Sequence, residues 1–194
     1  FTGAFTTAAG NLINTVGATS DLNIVTNGVL TLGANSTLNA NVIGTAAINM
    51  GVDSTIGGNI TASTSTGVVT LGQNSSVGGF IHTDAGPVNV ASLSTIGGGI
   101  TTQAGAITLL TNIKVGGDIS TVAGAITIGD GSSTRNSVFS TGAGVVVIAT
   151  NVQVGENVST INGAITISGG SKIGGDVSPM GNGAVTLTGV HVGG

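Results

Sequence analysis

Ile100-Thr-Thr-Gln-Ala-Gly-Ala-Ile-Thr-Leu109 is followed nineteen residues later by Ile119-Ser-Thr-Val-Ala-Gly-Ala-Ile-Thr-Ile128, and the frame returns at Val158-Ser-Thr-Ile-Asn-Gly-Ala-Ile-Thr-Ile167. Between these units stands a second element: Ile56-Gly-Gly, Val77-Gly-Gly, Ile96-Gly-Gly, Val115-Gly-Gly and Ile173-Gly-Gly. A fixed internal period of this length is the signature of a repeat architecture.

Working outward, three apolar columns cover the chain. The first is Phe5, Ile24, Val42, Ile60, Ile81, Ile100, Ile119, Val138, Val158 and Val177, with spacings of 18 to 21. The second is Leu12, Leu30, Ile48, Val69, Val88, Ile107, Ile126, Val146, Ile165 and Val185. The third lies eight residues after the second, at Leu38, Ile56, Val77, Ile96, Val115, Val154 and Ile173. Length variation falls between the first and second columns, as stacked coils with one elastic loop would give.

The period is too short for two helices per unit, and the composition is wrong for helix. Val, Ile and Thr are stiff at χ1 and suit a pleated surface. In Ile107-Thr108-Leu109 the alternation is of period two, with Ile and Leu on one face and Thr on the other. Short strands at regular spacing also fit a sandwich, but a sandwich gives no reason for near-identical coils in register. The expected fold is all-β: a parallel β-solenoid of about ten rungs, about 19 residues each, forming a single domain over 1–194. Rungs stack about 4.8 Å apart, so the rod is about 48 Å long.

Within each rung, Gly-Gly marks a tight turn where positive φ is expected. The position before the first column reads Asn23, Asn41, Asn59, Phe80, Gly99, Asp118, Ser137, Asn157 and Asp176, a polar ladder with Asn amides stacked between coils. One rung departs from the frame: Thr134 stands in the third column, and Arg135-Asn136 replace Gly-Gly. A local bulge is expected there. Arg135 and Phe139 are candidates for a lateral contact, since Arg and aromatic residues are favoured at interfaces.

Composition narrows function. Of 194 residues, 36 are Gly, 5% are charged, 40% are hydrophobic and none is Cys, with net charge −4. Three basic residues are too few for a nucleic-acid footprint. Absence of Cys excludes disulfides and thiolate metal sites. The hydrophobic content argues against disorder, and the short apolar runs against a spanning helix.

The two ends suggest a partner. The sequence closes on Gly189-Val190-His191-Val192-Gly193-Gly194, a motif that in other rungs leads into a first-column residue. Ala4-Phe5-Thr6-Thr7-Ala8-Ala9-Gly10-Asn11-Leu12 aligns with Gly99–Ile107 and supplies that continuation. The expected partner is the protein itself, in a head-to-tail homopolymer. Its junction would be formed by Phe1, Phe5, Leu12, Val185, Val190, His191, Val192, Gly193 and Gly194, with residues 1–4 as an arm on the neighbour. His191 would sit near that junction, and His is the side chain that answers mild acid. The start at Phe1 fits a mature chain after signal-peptide removal, or a piece trimmed from a longer adhesin.

The Gly-Ala-Ile-Thr-Ile and Val-Gly-Gly-Asp-Ile-Ser-Thr units resemble secreted bacterial β-helix repeats, especially the filamentous-haemagglutinin type. They are also similar to bactofilins, which polymerise end to end. The resemblance implies a structural or adhesive role, an extracellular or cell-surface location and a surface or polysaccharide as a further partner.

Chemistry finds little support. Asp118 lies three rungs from Asp176, about 14 Å, too far for a glycosidase carboxylate pair. Asp118, Asp130, Glu156 and Asp176 read as turn residues rather than a cation site. His82 and Asp84 share a face, but no positioned nucleophile accompanies them. The column Thr31, Asn49, Thr70, Asn89, Thr108, Thr127, Val147, Thr166 and Thr186 raises ice binding, which needs two such columns where only one is present. Asn35, Asn59, Asn74 and Asn157 match a glycosylation pattern that chance supplies in so Thr/Ser-rich a chain. Neither an enzyme nor a cofactor is expected.

Overall fold

The computed structural model describes residues 3–14, 22–64 and 67–194. No helix occurs among them, and every strand pairing is parallel. The chain winds through three sheets in turn. Sheet I runs from Phe5–Thr6 to Val185–Leu187 and has ten strands. Sheet II, also ten-stranded, runs from Leu12–Ile13 to His191–Val192. Sheet III, nine-stranded, runs from Asn23–Thr26 to Val177–Pro179. Among the described residues the solenoid therefore has nine complete turns and two strands of a tenth, in keeping with the expected rungs of about ten.

Register follows the apolar columns. Ile107 pairs with Val88 on one side and Ile126 on the other, and Ile100 pairs with Ile81 and Ile119. The columns are buried: Ile56, Ile81, Ile96, Ile100 and Ile107 are fully enclosed. A fourth column, two residues after the sheet I column, completes the core with Leu32, Met50, Leu71, Val90, Leu109, Ile128, Ile148 and Ile167. Like residues stacked on like give continuous packing along the axis.

The first rung is registered differently from the sequence expectation. Phe5 pairs with Leu30 in sheet I, not with Ile24 in sheet III. Ile13, not Leu12, carries the sheet II column against Leu38, and Leu12 points outward at 68% exposure. The Thr-Thr and Ala-Gly matches to Ile100–Ile107 mislead for a physical reason. Thr7 sits at an inward position of sheet I because its hydroxyl accepts the Gly33 N–H at 3.0 Å. Gly10 adopts φ +75 at the corner between sheets I and II, where the following coil has Asn35. From Ile13 the next sheet III column residue is Ile24, eleven positions on, against four in later rungs.

The Gly-Gly pairs turn without positive φ. Among the described residues, Gly with positive φ are Gly3, Gly10, Gly131, Gly170 and Gly189. Gly97, Gly116 and Gly174 are glycine because a Cβ there would strike the carbonyl oxygen of Gly78, Gly97 and Gly155 in the coil before. The positive-φ corner lies instead between sheets I and II, at Asn35, Asp53, Asn74, Leu93, Asn112 and Asn151. Asn and Asp tolerate this left-handed region best after Gly.

Thr134 causes no bulge. It pairs in register with Val115 and Val154, is 4% exposed, and its hydroxyl donates to the Gly117 carbonyl at 2.6 Å. A buried hydroxyl is tolerated when it is hydrogen-bonded, and Thr is close in shape to the Val it replaces.

Candidate functional site

Two places gather the residues singled out by sequence: the open end of the last rung, and the outer faces of the sheets. At the end face, Val185, Leu187 and Val192 stand in register with Ile165, Ile167 and Ile173. The Ile residues are fully buried, whereas Val185, Leu187 and Val192 are exposed by 39, 43 and 37%. Val190 packs partly against the core, and His191, Gly193 and Gly194 are exposed. Leu187 also belongs to this edge, at the inward position two residues after Val185, which the three sequence columns do not include.

At the opposite end, Phe5, Ile13 and Leu22 pack partly buried against the core. Phe1 lies outside the described residues. The arm 1–4 is described only at Gly3 and Ala4. There the Gly3 carbonyl accepts the Thr26 hydroxyl at 2.6 Å, an intramolecular contact within the first turn. The ten-, ten- and nine-stranded sheets thus present edges of sheets I and II at both ends, with sheet III one strand shorter. Phe5 thus stands at the edge of sheet I rather than of sheet III.

Arg135 is exposed at the corner after sheet II, and Phe139, four residues on, is a half-buried outward residue of sheet III, between Ser120 and Ser159.

The carboxylates serve the stack. Asp118 accepts the Ser137 N–H at 3.0 Å, and Glu156 accepts the Ser137 hydroxyl at 3.0 Å. Asp130 lies at a different corner, where one oxygen takes both the Thr150 hydroxyl at 2.7 Å and the Thr150 N–H at 2.9 Å. The hydroxyl bond first, then the backbone bond, holds the Asp130 carboxyl below its ordinary value of 3.8. Among the described residues no three of His, Asp and Glu stand close enough to hold a metal ion. His82 Nε2 and Asp84 Oδ1 are 3.3 Å apart on sheet III, half-exposed, with Gln103 also reaching Asp84.

The polar ladder before sheet III exists, with a different bond. Asn41 donates its amide to Asn23 at 3.1 Å. Elsewhere the side-chain oxygen accepts the next coil's backbone N–H: Asn41 from Asn59, Asn59 from Phe80, and Asn157 from Asp176, at 2.8 to 3.0 Å. A second polar column was not legible as such. Ser36, Ser54, Ser75, Ser94, Ser132 and Ser171 are buried at the corner before sheet II. The Ser94 hydroxyl accepts the Ser75 N–H and donates to the Gly72 carbonyl, both at 3.1 Å. Ser132 and Ser171 repeat the arrangement on Ile113 and Val152.

The fold and its sites define a class: a parallel β-solenoid whose side chains are devoted to stacking coil on coil. Comparison with protein-family models, curated proteins and solved structures finds no match to this chain.

Proposed function

We propose that this chain is a structural subunit of an extracellular filament or surface appendage, in which copies stack end to end and carry the solenoid across each junction. The observation that supports it is the apolar edge of Val185, Leu187 and Val192, held in register with fully buried Ile residues one rung below. An open sheet edge over an apolar core is a template for another strand, and repeat proteins ordinarily cover it with a polar cap. A head-to-tail contact between two different surfaces does not close and so propagates. No catalytic role belongs to this reading.

The test is negative-stain electron microscopy together with sedimentation of the purified 194-residue chain. Fibres with an axial repeat of nine to ten rungs, about 43–48 Å, are expected. Dispersed short rods, monomeric at high protein concentration, would overturn the proposal in favour of a rod that acts singly or continues only within its own polypeptide.

A further inference from the structure

We infer that the outer face of sheet II, over its C-terminal half, is a binding groove for a linear acidic polysaccharide. The protein has three basic residues in all and a net charge of −4. All three, Lys114, Arg135 and Lys172, line one open groove of about 630 Å³, together with His191. No carboxylate lines it. Lys114, Lys172 and His191 share one outward column, in which Lys114 faces Ser133, Ser133 faces Gln153, Gln153 faces Lys172 and Lys172 faces His191.

The groove follows from the stacking rules. The glycine column at Gly97, Gly116, Gly155 and Gly174 has no room for a Cβ, so it leaves a bare backbone floor beside the Lys column. Arg135 is the side chain that rises from that floor, at the position glycine holds in neighbouring rungs. The only ion pair among the described residues is His82 with Asp84 on another sheet, so the three cations are unpaired by carboxylates. Asp118, Glu156 and Asp176 stand at the corner that borders the groove on the Arg135 side, and none of them lines it.

Spacing and chemistry select the occupant. Lys114 to His191 spans four rungs, about 19 Å, on a straight stiff ladder. Duplex nucleic acid carries a charge every 1.7 Å, far denser than these cations. A single strand would need aromatic platforms, and no aromatic residue lines the groove. A β-strand partner needs a sheet edge, whereas this is a sheet face. Sparse anions separated by hydroxyls fit an acidic glycan, with Ser133 and Gln153 set between the cations to meet the sugar hydroxyls. This inference stands apart from the filament reading, since one rod suffices to present the groove.

The test measures binding of the full chain to polygalacturonate, heparin, neutral dextran and a single-stranded oligonucleotide, at low and at high salt. The first two probes separate carboxylate from sulfate recognition. The inference predicts that at least one acidic glycan binds at low salt and weakens with salt. The K114Q/R135Q/K172Q variant should lose about tenfold in affinity, from three exposed ion pairs. An E156Q/D118N variant should not lose affinity, which separates the groove from a general charge effect. Circular dichroism checks that each variant keeps its β signal. Equal binding by dextran, tighter binding by the oligonucleotide, no binding by either acidic glycan, or an unchanged triple variant would each overturn the inference.

Discussion

Leu93 is the exception in a column built for the left-handed region. It adopts φ 67 where its neighbours in the column are Asn74 and Asn112, and it is half-exposed. A branched apolar side chain in that region costs about 1–2 kcal/mol. Leu93→Asn should therefore stabilise the protein by about 1 kcal/mol in chemical denaturation. The opposite sign holds at Gly116, where a Cβ would meet the Gly97 carbonyl of the coil before, which is itself held in the stack. Gly116→Ala should destabilise by about 1–3 kcal/mol, as overpacking does. Asp130 gives a pH signature. Its carboxyl is held below its ordinary value by Thr150, so its stabilisation is present above about pH 4 and is lost as pH falls through the lower folded value. Asp130→Ala should lower the melting temperature at neutral pH, and the gap from the parent should close toward about pH 2. At this scale the sequence is legible in type but not always in cause. That glycine recurs at Gly97 and Gly116 was readable; that the reason is a neighbouring carbonyl rather than positive φ required the packed coils. Positive φ falls on Asn35, Asn74 and Asn112, residue types that tolerate it, and not on the Gly-Gly pairs.

Strands here are only two to four residues long and are stable through their stacks, not singly. Polar columns lock the corners between them. In Ser94→Ala, the buried Ser75 N–H loses its acceptor, at a cost of about 1–3 kcal/mol, while the half-buried Gly72 carbonyl can turn to water. The corner from sheet III to sheet I differs, because its length varies between rungs, from six residues between Ile24 and Leu30 to nine between Ile60 and Val69. Two residues inserted between Gln103 and Ala104 should cost under about 1 kcal/mol. The same insertion between Gly97 and Gly98 should cost more, because it breaks the close stacking of Gly97 and Gly98 on Gly78 and Gly79 and between Gly116 and Gly117 above them. Thermal melts of the two insertions, read side by side, check both. The elastic and fixed segments were legible in the sequence, because column spacing measures them directly. The first rung was not. Thr7 and Gly10 imitate the Thr102 and Gly105 pattern, yet each owes its place to a contact with the second coil, which local spacing does not encode.

On the scale of the whole rod, low charge and a single repeated cross-section have one consequence. Any charge placed in an inward column would be repeated or opposed every 4.8 Å, so the columns stay apolar and charge is left to the corners and to one face. Stability in such arrays comes from nearest-neighbour interfaces, and Leu187, in register with fully buried Ile167, stays exposed at the edge of sheet I. Placing a carboxylate at that edge tests the end-to-end reading without touching the folded interior. In Leu187→Glu the new charge meets water in a single rod, since Leu187 is already 43% exposed there. Within a stacked junction it would be buried without a partner, at a cost of several kcal/mol. The variant should keep the β circular dichroism of the parent and melt within a few degrees of it, but sediment as a monomer where the parent forms fibres. Lys114→Gln, on the outer face of sheet II, should leave fibre formation unchanged. Fibres of normal length from Leu187→Glu would show that growth uses another surface.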